Sequence, residues 1–153
     1  MTRIGVMADS HRNSANIRRA LKRMEDCALI LHLGDHDTDM DDFRLREDRL
    51  LSVPGNCDPL SFAPGLRIFE RDGVRVLMTH GDAYGVKHSL MRLSLKAREA
   101  GATLALYGHS HRQEIDRDGE ITLLNPGALK NGDYAVVELD KGCVRCELHN
   151  LDE

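Results

Sequence analysis

Two short segments of the chain each carry two side chains of the types that bind metal ions. The segments are Asp9-Ser10-His11 and His109-Ser110-His111, and in both the ligand-type residues stand at positions i and i+2. In an extended backbone, side chains two residues apart point to the same face, so each triplet could hold one side of a metal centre. Three more ligand-type residues lie between the triplets, namely Asp35, Asn56 and His80. The combination predicts a metal enzyme.

The types of these side chains indicate which metals they suit and how many. Imidazole mixed with carboxylate suits first-row transition metals such as Mn, Fe, Co, Ni or Zn. The set is too large for one ion and about right for two. Asp35 could bridge the two ions because a carboxylate has two oxygens, whereas the amide carbonyl of Asn56 is an unusual ligand for such metals. Taken singly, each residue is more typical of a turn, a helix cap or a surface histidine, so the prediction depends on their joint occurrence.

The elements that must position these residues follow from the apolar pattern. Strands are predicted over 4–8, 28–33, 50–53, 66–69, 74–78, 103–107, 113–117, 121–124, 134–139 and 144–148. Helical spacing predicts one helix capped by Asn13 or Ser14, a second over 90–100 ended by Gly101, and a short helix around Met40 and Phe43. Each ligand-type cluster falls where a strand ends, which is where sites gather in open α/β sheets. We expect an α/β fold of two packed mixed β-sheets with helices outside.

Size and composition indicate a soluble protein of one domain, 1–153. The chain has 153 residues and a formal net charge of −4, which argues against a strong nucleic-acid surface. It contains no apolar run of the roughly 20 residues that a membrane span needs, and its start lacks the apolar run of a signal peptide. We therefore expect a cytoplasmic protein whose four cysteines are free thiols.

The motifs Asp-x-His, Gly-Asp, Gly-Asn, His-Gly and Gly-His-x-His, in this order, resemble those of the calcineurin-like metallophosphoesterases. Gly-Asn-Cys-Asp at 55–58 and Asn-Pro-Gly at 125–127 resemble the small bacterial and archaeal phosphodiesterases of that superfamily. The resemblance implies a four-layer α/β/β/α sandwich. It also implies roles for the ligand-type residues: Asp9, His11 and His111 for a first metal, Asp35 as a bridge, and Asn56, His80 and His109 for a second.

The function implied is that of a dinuclear metal-dependent phosphodiesterase acting on a small phosphodiester. A hydroxide bridging two divalent ions would attack phosphorus in line with the leaving oxygen. We expect Mn, with Ni, Co, Fe or Zn as alternatives. Two other functions stay open: a phosphomonoesterase or protein phosphatase, and a non-catalytic scaffold, since a eukaryotic sorting-complex subunit shares this fold. A homo-oligomer is compatible with the sequence.

Protonation of the leaving group is the step for which the motifs supply no clear residue. Many relatives have histidine as the general acid where this chain has Cys57, and a thiol is a weak hydrogen-bond donor. The substitution predicts a preference for good leaving groups such as aryl phosphodiesters, although Cys57 could equally be a plain buried residue. His36 is a second candidate acid or an orienting or exposed residue, and Arg12 could contact substrate phosphate or be an ordinary surface residue.

Cys143 and Cys146 have zinc-type spacing, but on a strand they face opposite sides, so we expect structural cysteines there.

Overall fold

The computed structural model describes residues 1–35, 40, 49–58 and 64–153. Over these residues, ten strands and two helices are present. The strands are β1 (Thr2–Met7), β2 (Leu29–His32), β3 (Leu50–Ser52), β4 (Leu66–Arg71), β5 (Val74–Thr79), β6 (Leu104–Leu106), β7 (Glu114–Asp118), β8 (Ile121–Asn125), β9 (Asp133–Asp140) and β10 (Cys143–Asn150). The helices are α1 (Ser14–Arg23) and α2 (Met91–Ala100), and short 3-10 turns cover Asp82–Tyr84 and Leu129–Asn131.

The strands form two five-stranded sheets, in the orders β10-β9-β1-β2-β3 and β4-β5-β6-β8-β7. In the first sheet β1, β2 and β3 run parallel, and β9 and β10 continue the sheet in antiparallel pairing. In the second sheet β5, β6 and β8 run parallel, and the edge strands β4 and β7 are antiparallel to their neighbours. Two mixed sheets with flanking helices confirm the predicted α/β class.

Alternation along the strands divides the core into three apolar layers. Between the sheets, Ile4 and Val6 of β1 belong to the same buried cluster as Val76 of β5 and Leu104 of β6. Each such fully buried aliphatic side chain stabilises the fold by about 1.5–3 kcal/mol relative to exposure. The layer order is therefore helix, sheet, sheet, helix, as expected.

Helix α1 covers the outer face of the first sheet through Ile17 and Ala20, which are buried among residues of β1 and β2. The Asn13 side chain caps the helix by accepting from the Asn16 backbone N–H at 3.1 Å. The approach to β1 is close, because a Cβ added at Gly5 would lie 2.4 Å from Met24 Sδ. The cap fixes the direction in which the chain leaves the first ligand triplet.

Helix α2 covers the outer face of the second sheet, with Leu93 and Ala97 buried against it. The helix ends at Gly101, where φ is 73° and the backbone N–H bonds to the carbonyls of Ala97 and Arg98, as the sequence predicted. Of the short helix predicted around Met40 and Phe43, only Met40 is described; it is buried in the layer beneath α1. Neither of the two described helices has the length and apolar character needed to cross a bilayer.

Candidate metal centre

The ligand-type residues follow the carboxyl ends of parallel strands in both sheets. Asp9 comes two residues after β1, Asp35 three residues after β2, and Asn56 four residues after β3. In the second sheet His80 directly follows β5, and the His109–His111 triplet follows β6. Because the two sheets pack face to face with these ends at one edge, side chains from distant parts of the sequence meet there.

The backbone of the ligand triplets is not extended. The prediction that residues i and i+2 share a face because they lie on a strand is therefore wrong. The non-glycine residues Asp9, His11, His109 and His111 have φ values of 55°, 43°, 70° and 61°, and Asp35 has 57°. Left-handed backbone of this kind costs of the order of 1 kcal/mol or more for each non-glycine residue. The side chains of each triplet converge because the chain turns tightly after the strand, and not because alternate residues of a strand share a face.

The first group of converging side chains contains Asp9, His11, Asp35 and His111. One potential ligand atom from each lies within 4.8 Å of all the others. His111 Nε2 is 3.5 Å from Asp9 Oδ1, and His11 Nε2 is 3.7 Å from Asp35 Oδ2. These four residues are those that the resemblance assigns to the first metal together with the bridge.

The second group contains Asp35, His80 and His109, whose ligand atoms also lie within 4.8 Å of one another. His80 Nε2 is 3.5 Å from Asp35 Oδ2, 3.1 Å from Asn56 Oδ1 and 3.2 Å from His109 Nδ1. Asp35 is common to both groups, and His109 and His111 belong to different ones. The structure thus brings all seven predicted ligand residues together.

A buried hydrogen bond fixes how His80 presents its ring. Nδ1 lies 2.7 Å from the Leu33 carbonyl oxygen, to which it can only donate, so the proton of a neutral ring is on Nδ1. The lone pair of Nε2 then faces the Asn56 carbonyl oxygen and the neighbouring imidazole. A cation between these atoms would satisfy them, which is the arrangement expected of a histidine metal ligand with a carbonyl partner behind it.

Asp9 is the strongest sign that the residues fit a metal ion. Its side chain is fully buried, and neither carboxylate oxygen has a hydrogen-bond partner among the described residues. Burial, followed by the negative charge of Asp35, raises the pKa of Asp9 to about 8. A buried carboxylate without a partner is costly, and a bound cation would remove that cost.

The pKa shifts of three other ligand residues favour the protonation states that metal binding requires. Burial, followed by the charge of His80, lowers the pKa of His109. Burial, followed by the charges of Lys130 and His11, lowers the pKa of His111. Both rings are therefore neutral near pH 7. Burial acts to raise the pKa of Asp35, but the Cys57 backbone N–H and the charge of His80 outweigh it, so that carboxylate is ionised.

The other predicted site residues lie at the rim of the centre or outside the described residues. Cys57 is exposed beside Asp35, so its interpretation as a plain buried residue is wrong. Partial desolvation of its sulfur, followed by the charge of Asp35, raises the pKa of the Cys57 thiol. Arg12 is exposed between His11 and α1. His36 lies outside the described residues.

Two buried residues lie at the site: His32, which was missed from the sequence, and Asn125, which was noted only as part of the Asn-Pro-Gly motif. His32 is fully buried and its Nε2 lies 2.9 Å from Ser10 Oγ. Asn125 is fully buried and donates from Nδ2 to Ser110 Oγ at 2.9 Å. A signal existed for His32, which interrupts an apolar strand and so requires a buried partner.

Lys130, an exposed residue that the sequence did not single out, lies beside the first group. Its backbone N–H donates to the Asp9 carbonyl oxygen at 3.2 Å. Cys143 is exposed and Cys146 half-buried on β10; both are free thiols and neither belongs to the two ligand groups of the described residues, in keeping with structural cysteines.

Comparison with known proteins adds a family and a fold. A family model for the calcineurin-like phosphoesterase superfamily domain matches residues 2–142, a range that contains all seven ligand-type residues. A probable metallophosphoesterase of Bacillus subtilis is 28% identical over 144 residues, which cover 88% of this chain and 83% of the relative. A Methanocaldococcus jannaschii protein named as a phosphodiesterase is 22% identical over 143 residues, covering 82% of each chain.

The fold is shared with a solved structure. The crystal structure of a predicted phosphoesterase from Streptococcus pneumoniae superposes with a TM-score of 0.80 and 27% sequence identity. The superposition covers 99% of this chain and 91% of that one. Both sheets and both helices described above therefore lie within the shared fold.

Proposed function

The chain belongs to the calcineurin-like phosphoesterase superfamily, and on that premise we propose that it hydrolyses phosphodiesters with two divalent transition-metal ions. Asp9, His11 and His111 would hold the first ion, Asn56, His80 and His109 would hold the second, and Asp35 would be shared. The observation that carries the proposal is the membership of Asp35 in two overlapping groups of buried or half-buried ligand-type side chains. Manganese is the ion we expect, with Ni, Co, Fe or Zn as alternatives.

Charge determines what such a centre attracts. Among the proposed ligands only Asp9 and Asp35 are ionised when metal is bound, because the amide and the imidazoles are neutral. Two divalent cations against two carboxylates leave a net charge of +2, which attracts a phosphate ester. When bound, two divalent ions lower the pKa of water and stabilise the charge that develops on the phosphoryl oxygens.

The protein's own groups keep the ligands in place for that chemistry. The Leu33 carbonyl oxygen holds the proton of His80 on Nδ1, so that Nε2 faces the centre. The Cys57 backbone N–H holds Oδ1 of Asp35 at 3.0 Å, so that Oδ2 faces both groups. In the proposed reaction, water would attack phosphorus in line with the leaving oxygen, whose bond to phosphorus breaks, with no covalent enzyme intermediate.

The rim of the centre favours a diester with a good leaving group. Among the described residues, Asn56 and Cys57 are exposed beside Asp35, so they are placed to contact the ester substituents of a diester. A protonated thiol is a weak donor, so little protonation of the leaving oxygen is available from Cys57. Arg12, exposed beside His11, supplies a cation for a phosphoryl oxygen. The name of the Methanocaldococcus jannaschii relative adds support for diester cleavage.

The decisive experiment combines metal content with a substrate panel. Purified protein is stripped of metal, reloaded with Mn, Ni, Co, Zn or Mg in parallel, and assayed on bis-aryl phosphates and aryl monophosphates. We expect two ions per chain and a kcat/KM for diesters well above that for monoesters. A preference for monoesters would instead support a phosphomonoesterase, and bound metal without turnover of either panel would support a scaffold.

A further inference from the structure

The serine at the centre of each ligand triplet contacts a buried side chain from a neighbouring strand. Ser10 Oγ meets His32, the last residue of β2, and Ser110 Oγ meets Asn125, the last residue of β8. β2 is the parallel neighbour of β1, and β8 is the parallel neighbour of β6. β1 precedes the first triplet and β6 precedes the second. In both halves of the centre, the central serine therefore contacts the last residue of the parallel neighbouring strand.

In the first half, one imidazole links two ligand-bearing loops. The Gly34 backbone N–H donates to His32 Nδ1 at 3.2 Å, so a neutral ring carries its proton on Nε2. Nε2 then donates to Ser10 Oγ at 2.9 Å. Because Gly34 precedes Asp35 and Ser10 follows Asp9, the ring holds the two carboxylates of the centre in a fixed relation.

In the second half, one amide holds the loop of the two histidines. Asn125 Nδ2 donates to the Gly108 carbonyl oxygen at 3.2 Å and to Ser110 Oγ at 2.9 Å. Its Oδ1 accepts from the Gly127 backbone N–H at 2.9 Å. Both kinds of hydrogen-bonding group of this buried amide are used, and two of the three contacts lie on the segment that carries His109 and His111.

These hydrogen bonds matter because the ligand residues have an unfavourable backbone conformation that the surrounding structure must stabilise. The flanking residues of both triplets have left-handed φ values, which persist only where the surroundings enforce them. We propose that each triplet is positioned for metal binding through its central serine, by the buried side chain that contacts that serine. The positioning residues are Ser10, His32, Ser110 and Asn125, and the inference rests on the proposed two-metal function.

The His32–Ser10 and Asn125–Ser110 contacts position different ligand residues, so their loss should affect metal binding differently. Ser10 lies between Asp9 and His11, which both belong to the first group. Ser110 lies between His109 of the second group and His111 of the first. Loss of the Ser10 hydroxyl should therefore weaken the binding of one metal ion. Loss of the Asn125–Ser110 contact should weaken the binding of both ions.

The test is calorimetric titration of the metal-free protein with Mn²⁺, for the wild type and matched variants. We expect two binding steps in the wild type. Ser10→Ala should weaken one step by about 10–100-fold and leave the other, and Ser110→Ala should weaken both by a similar factor. Asn125→Asp, which keeps the shape of the amide but loses both donors, should also weaken both steps, and Ser110→Thr, which keeps the hydroxyl, should restore them.

Ser94→Ala is the control for a merely structural role. Ser94 is a buried serine on α2 whose hydroxyl donates to Asp118, at the opposite end of the β7–β8 pair from Asn125. We expect this variant to lower the melting temperature without moving either binding step. If Asn125→Asp does not fold, Ser110→Ala tests the same anchor.

The outcomes distinguish a failure of the positioning role from a failure of the proposed two-metal function. Two steps in the wild type that stay unmoved in Ser10→Ala and Ser110→Ala would overturn the positioning role and leave the two-metal enzyme intact. A wild-type protein that binds fewer than two ions would overturn the proposed centre and the inference with it.

Discussion

The backbone N–H of Cys57 donates to Asp35 Oδ1 at 3.0 Å, which leaves Oδ2 as the oxygen that faces both ligand groups. Oδ2 lies 3.7 Å from His11 Nε2 and 3.5 Å from His80 Nε2. The sequence suggested a bridge that uses both carboxylate oxygens, one for each ion. In the structure Oδ2 is the oxygen that a shared ligand would present to both groups, while Oδ1 accepts from the loop of Cys57.

Asp35→Asn is the direct test of this shared ligand. The amide is neutral and cannot replace a carboxylate between two cations, so we expect loss of at least one ion per chain. Turnover should fall by about a thousandfold or more, because phosphoryl transfer depends on the charge of both metals. Metal analysis and diester hydrolysis measure the two effects, with the exposed Asp116→Asn as a control that should change neither. Full activity in Asp35→Asn would contradict the two-metal scheme.

Cys57 predicts how the rate depends on the leaving group. Since the thiol is a poor acid, kcat for a series of aryl diesters should fall steeply as the pKa of the leaving phenol rises. Cys57→His should flatten that dependence and raise turnover of the poorest leaving groups, whereas Cys57→Ser should resemble the wild type. A shallow dependence in the wild type would show that another group supplies the proton.

The positions of the ligand residues could be predicted because the signals are local. A short apolar run that stops at a polar residue, as at Asp35 or His80, indicates both a buried strand and the residue at its end. Parallel strands place such ends at one edge, so convergence followed from the predicted topology. The helix end at Gly101 was likewise predicted from a single residue, and the cap of the first helix was narrowed to Asn13 or Ser14.

The left-handed backbone at His11 and His109 could not be predicted, because nothing in Asp-Ser-His or His-Ser-His demands it locally. We attribute it to contacts distant in sequence, such as that between Ser110 and Asn125. The unpartnered state of Asp9 has the same origin, since burial of its carboxylate depends on how the two sheets meet. Such properties belong to the assembled core and not to any segment.

Close approach of two loops predicts a strong effect of a single methyl group at Gly55. A Cβ there would lie 2.2 Å from Asp35 Oδ1 and 2.4 Å from the Asp35 backbone nitrogen. Gly55→Ala must displace the Asp35 loop, so we expect metal affinity to fall at least tenfold and diester turnover to fall with it. Gly65→Ala is the matched control, because no described residue lies within 4 Å of a Cβ added there. Equal metal affinity in the two variants would show that the loop adapts without cost.

Asp9 predicts how the stability of the metal-free protein depends on pH. Burial, followed by the charge of Asp35, raises its pKa from 3.8 to about 8. A raised carboxyl pKa means that the folded state prefers the protonated form. The stability contributed by Asp9 is therefore fully present below about pH 4 and is lost as pH rises to about 8. His109 and His111, whose pKa values are lowered from 6.5, act in the opposite sense, but only below that pH.

Between pH 6.5 and 8 the effect of Asp9 should therefore dominate. We expect the free energy of unfolding of metal-free protein to fall by about 1.4 kcal/mol per pH unit as pH rises through this window. Asp9→Asn, which cannot titrate, should remove most of that slope. Saturating Mn²⁺ should stabilise the wild type more at pH 8 than at pH 6.5, because the metal must displace the proton at the lower pH. Denaturant unfolding at four pH values measures the slope, and an equal slope in Asp9→Asn would assign it to another group.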